Sequence, residues 1–308
     1  MKIKLPTLLI VLVLTGGEAT VIAAPPFPLS NQASQPIQRS SVRSLPQRVS
    51  LRETRERGFL AKIWINNAGP FNFAVDTGAG VTLISSRIAS VASISRSGTT
   101  VSVGGLSGES LSRGTNAAIR SISIGDSGNL LSPNQKAILV DNLPADLDGI
   151  LDPTSAYSPY GYSIDLPNRS LEAFDPREHP LSADQIPQGG TVVRWLRMGG
   201  RPFVRLGDGR IALLDTGSGF GLAISTGDRR DNRRQPIVHD LGAGHVSAER
   251  VSPTTVSIGD LTLRKVPTDL LSGAESNAPI LLGRDALYPF RITFDPLRQL
   301  IEIAPVAR

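Results

Sequence analysis

The chain has 308 residues, of which 40% are hydrophobic and 19% charged, and its formal net charge is +5. That is enough apolar material to pack one large domain or two modest ones, and 30 Gly with 23 Pro favour many short strands joined by turns over long helices. The absence of cysteine excludes disulfides, a thiol nucleophile, a lipid-bearing cysteine and a cysteine-based zinc site.

At the N-terminus, Lys2 and Lys4 precede an apolar run over residues 7–14, and Val21-Ile22-Ala23 supplies small residues for a cleavage site. Residues 1–23 therefore read as a signal peptide cut after Ala23, which predicts a periplasmic or secreted protein. The run is shorter than the roughly 20 apolar residues of a membrane-spanning helix. An uncleaved N-terminal anchor is the alternative, and no other stretch is long and apolar enough to span. Residues 24–50 are rich in Pro, Ser, Gln and Arg without an apolar period. They read as a flexible linker or a propeptide-like segment. Basic residues cluster at 39–57 and 229–234 without interleaved aromatics. These are expected to be solvated surfaces rather than a nucleic-acid interface.

From Leu51 onward one pattern occurs twice. In the first copy, Leu60, Ile63 and Ile65 form a strand, residues 66–70 a turn, and Phe71, Phe73 and Val75 a second strand ending at Asp76-Thr77-Gly78. In the second copy, Phe203, Val204 and Leu206 lead through the turn Gly207-Asp208-Gly209 to Ile211, Leu213, Leu214 and Asp215-Thr216-Gly217. Each is a β-hairpin that delivers Asp-Thr-Gly at its end. The copies continue in parallel. Val81-Thr82-Leu83-Ile84-Ser85 matches Leu222-Ala223-Ile224-Ser225. The Gly-rich turn Gly104-Gly105-Leu106-Ser107-Gly108 matches Leu241-Gly242-Ala243-Gly244-His245. Ile122-Ser123-Ile124-Gly125-Asp126 then matches Val256-Ser257-Ile258-Gly259-Asp260. Gly149-Ile150-Leu151-Asp152-Pro153 matches Ile280-Leu281-Leu282-Gly283-Arg284. A final hairpin closes each half, with Asp165 and Asp295 at its turn. The chain thus divides into an N-terminal lobe, residues 51–180, and a C-terminal lobe, residues 181–308.

A single Asp-Thr-Gly is an ordinary tight turn. Two copies at one place in a repeated unit mean more. Each aspartate emerges from an apolar strand, and a carboxylate there must be paired or hydrogen-bonded. If the halves face each other, Asp76 and Asp215 meet, share one proton and present an acid and a base together. That suits hydrolysis of an amide by a bound water, with no metal, cofactor or covalent intermediate. Thr77 and Thr216 are placed to donate their hydroxyls to the opposite half. Gly78 and Gly217 leave room for close approach. Ala79 and Ser218 keep the next position small, with Ser218 also a hydrogen-bond candidate for its aspartate. Gly104, Gly105, Leu106 and Gly108, with Gly242 and Gly244, are candidates for flap tips that close over a substrate, the alternative being ordinary hairpin turns.

Over roughly residues 58–304 the chain resembles the aspartic peptidases, pepsin-like and retropepsin-like. The resemblance rests on Asp76-Thr77-Gly78-Ala79, Asp215-Thr216-Gly217-Ser218 and Ile280-Leu281-Leu282-Gly283. It implies an all-β, bilobal aspartic-protease fold, similar to two fused retropepsin units, with a few short helices and a cleft between the lobes. It also implies an aspartic endopeptidase acting on peptide or unfolded protein as a monomer, with Leu281, Leu282 and Gly283 beneath Asp215. Three departures stand out. Asp152 replaces the family's glycine and reads as a helix N-cap before Pro153. No aromatic residue occupies residues 101–114 where pepsin-like enzymes carry a flap tyrosine. Phe220-Gly221 lengthens the second loop. The missing tyrosine leaves a catalytically inactive peptide-binding protein on the same scaffold as the alternative. His179, His239 and His245 show no metal-ligand spacing.

Overall fold

A computed structural model describes residues 12–14, 44–107, 112–227, 237–239, 245–275 and 277–306. The protein is all-β, with three sheets and, among the described residues, two short α-helices, as the sequence predicts.

Each half is built on one topology. In the first, the strand Ala68–Val75 pairs antiparallel with Gly58–Ile65 and parallel with Gly149–Leu151. Gly149–Leu151 runs antiparallel to Thr82–Ser85, which runs parallel to Gln135–Val140. In the second, Ile211–Asp215 pairs antiparallel with Arg201–Arg205 and parallel with Ile280–Gly283. Ile280–Gly283 runs antiparallel to Leu222–Ser225, which runs parallel to Leu261–Ser272. The matched segments of the sequence therefore take matched places in the two sheets. The central strands are buried on both faces, which is why they read as near-continuous apolar runs.

A third sheet joins the lobes. Its six strands run Thr191–Arg194, Leu300–Pro305, Phe290–Asp295, Gly161–Asp165, Ser170–Phe174 and Val49–Ser50. The final hairpins of the two halves meet at its centre, where Tyr162 pairs with Phe294 and Ile164 with Ile292. Tyr162 stacks on Phe294 at 4.6 Å, and Trp195 meets Phe294 edge-on at 5.7 Å. Asp165 and Asp295 hold the two turns, accepting from the backbone of Asn168 and of Leu297 and Arg298.

One segment differs from the sequence reading. Residues 44–50 lie within the expected linker 24–50, yet Pro46 and Val49 are buried. Gln47 exchanges hydrogen bonds with Asn129, and Val49–Ser50 pairs with Ser170 and Leu171. This short edge strand is the first half's counterpart of Thr191–Arg194. Too few apolar residues carry it to make a period. Within residues 1–23, the backbone of Leu12–Leu14 pairs antiparallel with Ser102–Gly104.

Candidate active site

Asp76 follows directly on the first central strand, and Asp215 ends the second. Both side chains are 0% exposed. The two loops lock to each other reciprocally. Thr77 Oγ1 donates to the Leu214 carbonyl at 2.7 Å and accepts from the Thr216 N–H at 3.0 Å. Thr216 Oγ1 accepts from the Thr77 N–H at 3.2 Å and donates to the Val75 carbonyl at 3.5 Å. The glycines allow this approach. A Cβ on Gly217 would lie 2.4 Å from Asp76 Cγ, and one on Gly78 would lie 2.8 Å from Asp215 Cγ. No side chain fits at either position.

Each carboxylate is oriented by its own loop. Gly78 N–H donates to Asp76 Oδ1 at 2.7 Å, and Ser218 N–H donates to Asp215 Oδ1 at 3.0 Å. The Ser218 hydroxyl does not serve Asp215; it accepts from the Phe220 N–H and holds the longer second loop. Ala79 is buried in the apolar cluster of the first lobe. The remaining oxygens, Asp76 Oδ2 and Asp215 Oδ2, are buried and receive no ordinary donor. The two side chains nevertheless lie within hydrogen-bonding reach of each other. Two carboxylate oxygens can satisfy one another only by sharing a proton.

The surroundings raise both carboxyls. Burial pushes Asp76 well above the carboxylate range, reinforced by the charge of Asp215, the hydrogen bond to it and the charge of Asp152. Burial also raises Asp215, but the hydrogen bond from Asp76, backbone donors of the second loop and the Arg284 guanidinium all oppose the rise. Both carboxyls are thus harder to ionise than a free aspartate, as two buried acids that hold one proton between them must be.

The floor beneath the pair is asymmetric. On the first side, Asp152 caps helix α1 (Pro153–Tyr157), its carboxylate accepting from the N–H groups of Thr154 and Ser155. Its buried side chain is raised to about 6, chiefly by burial. On the second side, Gly283 pairs with Asp215 in register and has the Ser218 and Phe220 carbonyls packed against it. Leu281 and Leu282 are fully buried beneath the loop. Arg284, which begins helix α2 (Arg284–Leu287), donates to the carbonyls of Thr216 at 3.0 Å and Gly217 at 3.4 Å. Its guanidinium also lies 5.8 Å from the Phe59 ring and against Gly58, so a residue of the second lobe anchors in the first. Sequence reasoning gave Arg284 no role; its only signal was its place at the end of the matched element Ile280-Leu281-Leu282-Gly283-Arg284.

Of the candidate flap, Gly104 ends the strand Ser95–Gly104, and Gly105, Leu106 and Ser107 are buried. Leu106 packs in the second lobe's apolar cluster with Phe203 and Phe220, and its carbonyl accepts from Glu275 N–H at 2.9 Å. The tip thus bridges to the opposite lobe. Gly108, Gly242 and Gly244 lie outside the described residues. Among the described residues there is no cluster of three or more His, Asp or Glu suited to a metal ion, and no helix is long and apolar enough to cross a membrane.

Residues 61–151 match a family model described as aspartyl protease. This stretch holds Asp76 and most of the first lobe's central sheet, and it ends before the second triplet. No curated protein matches the chain. The family match supports an aspartic peptidase family for this chain and, in general terms, hydrolysis of peptides.

Proposed function

We propose that the protein is a single-chain aspartic endopeptidase, with one Asp-Thr-Gly half-site from each lobe and a cleft of the pepsin-like and retropepsin-like kind. The observation that carries this reading is the meeting of Asp76 and Asp215, sealed from solvent and left with one unpartnered oxygen each. Asp215 takes a proton from a water held between the carboxylates, and that water's oxygen attacks the scissile carbonyl carbon. Asp76 gives its proton to the developing oxyanion. Collapse of the tetrahedral adduct breaks the C–N bond, the leaving nitrogen takes the proton held by Asp215, and the gem-diol proton returns to Asp76. Fixed donors and a flap that excludes water make these transfers effective.

Both halves of the site come from one chain, so a monomer suffices. The N-terminal sequence supports export to the periplasm or beyond, and N-terminal sequencing of the mature protein tests that. The substrate is peptide or unfolded protein, and nothing in the site calls for nucleic acid. The function is tested by digesting a denatured protein mixture at acidic and neutral pH. The wild type is expected to cleave it and a pepstatin-like mimic to block cleavage. Asp76→Asn is expected to lose about a thousandfold or more. Folded wild type that cleaves nothing at any pH would favour the inactive peptide-binding reading. Undiminished hydrolysis by Asp76→Asn would remove the mechanism.

A further inference from the structure

Arg201 opens the strand that leads to the second catalytic loop, after a turn through Gly199 and Gly200. Its position is fixed at several points. Its carbonyl accepts from Trp195 Nε1 at 3.2 Å, and its guanidinium carbon lies 5.2 Å from the Phe203 ring centre. Its stem crosses to the first lobe and covers Gly80, four residues beyond Asp76. A Cβ there would meet Arg201 Cγ at 3.0 Å. Gly80 has φ +72, so the absence of a side chain both permits the loop's turn and leaves space for the arginine.

The guanidinium is held without an anion. Nη1 is buried and has no acceptor; it is the one buried side-chain nitrogen in that condition among the described residues. Arg284, the other arginine of the site, spends its Nη1 on two loop carbonyls. Arg201 also lies close enough to Asp215 and Asp76 for both charges to act on it. A buried donor left open beside the reacting groups calls for a ligand, and a forked guanidinium selects a carboxylate.

We propose that Arg201 anchors a substrate subsite for a carboxylate side chain, so that the enzyme cleaves peptides preferentially beside Asp or Glu. This rests on the peptidase reading above and narrows its substrate class. The same guanidinium chemistry would also accept a peptide's terminal carboxylate. The position of Arg201, its stem laid from the second lobe over the loop of the first aspartate, favours a side chain of a continuous peptide.

The test uses matched peptides that carry Glu or Gln beside a single scissile bond, each with a free or an amidated C-terminus. They are presented to full-length wild type, Arg201→Met and Arg201→Lys at about pH 6, where a free glutamate is ionised. The wild type is expected to prefer Glu over Gln by about 10- to 100-fold in kcat/KM, the range of a charge-assisted hydrogen bond, whichever C-terminus is present. Arg201→Met, which keeps the stem over Gly80, is expected to lose the preference, read as the ratio of kcat/KM for the Glu and Gln peptides within that variant. Arg201→Lys is expected to keep part of it. Equal cleavage of Glu and Gln peptides by the wild type would overturn the subsite. So would a preference that survives in Arg201→Met, or discrimination that follows the free C-terminus instead. If the wild type cleaves none of the peptides, the peptidase reading fails. Fluorescence anisotropy with the same peptides then decides the subsite separately: it stands if Glu binding exceeds Gln binding only when Arg201 is present, and falls if the two bind alike.

Discussion

The residue that most distinguishes the two sides of the site is Asp152. Its buried carboxyl is raised to about 6, from the ordinary value of 3.8, and its charge raises Asp76 further. The sign follows directly. A carboxyl harder to ionise in the folded state than in the unfolded one favours folding while both states are protonated, and that advantage is lost as pH climbs from about 4 through about 6. Asp152→Asn keeps an N-cap of similar quality and removes the buried charge. The variant is expected to match the wild type in urea unfolding at about pH 4 and to gain up to about 3 kcal/mol at neutral pH. Its alkaline activity limb is expected to move to lower pH, because Asp76 no longer has an ionised neighbour holding its proton on. The N-cap role of Asp152 was legible from the Asp-Pro pair. The electrostatic contrast with Arg284 was not, because the matched elements reveal which positions correspond but not which side chains turn inward beneath the loops.

Among the elements, the two Asp-Thr-Gly loops and the hairpin tip at residues 104–107 join one lobe to the other. Gly217→Ala would force a methyl against Asp76. Overpacking of this kind costs about 1–3 kcal/mol, and near-complete loss of turnover is expected, since the loops can then meet only at a wider spacing. Thr77→Val leaves the Leu214 carbonyl and the Thr216 N–H without partners in a buried interface. Thermal denaturation should show a loss of about 1–3 kcal/mol. In the flap, Leu106→Ser removes the apolar grip on the second lobe. That should lower kcat/KM about tenfold or more and cost about 2–5 kcal/mol of stability, since Leu106 is buried in that cluster. The hairpins that deliver the aspartates were legible because alternating apolar residues end abruptly at Asp-Thr-Gly. The edge strand Val49–Ser50 was not, since its docking depends on a few residues set among Pro, Gln and Arg. The hydroxyl of Ser218 was assigned to its aspartate on proximity in sequence, whereas the extra loop residue at Phe220 captures it.

At the scale of the whole molecule, the lobes share one six-stranded sheet and one apolar cluster. They should therefore unfold together. Phe294→Ala, at the centre of that sheet, is expected to cost about 3–5 kcal/mol and to lower one common transition seen by both far-UV circular dichroism and tryptophan fluorescence; separate transitions would show the lobes to be independent. The two-fold arrangement was legible from the internal repeat, because each half alone leaves an apolar face that only its twin covers. What the repeat leaves unspecified is how the facing acids divide their proton. A carbon-13 NMR titration of the aspartate carboxyls, assigned with Asp76→Asn and Asp215→Asn, measures this directly. We expect the Asp76 and Asp215 signals to respond together in two well-separated steps, as a pair that holds one proton between them must. Two independent single steps near 3.8, the ordinary aspartate value, would contradict the account.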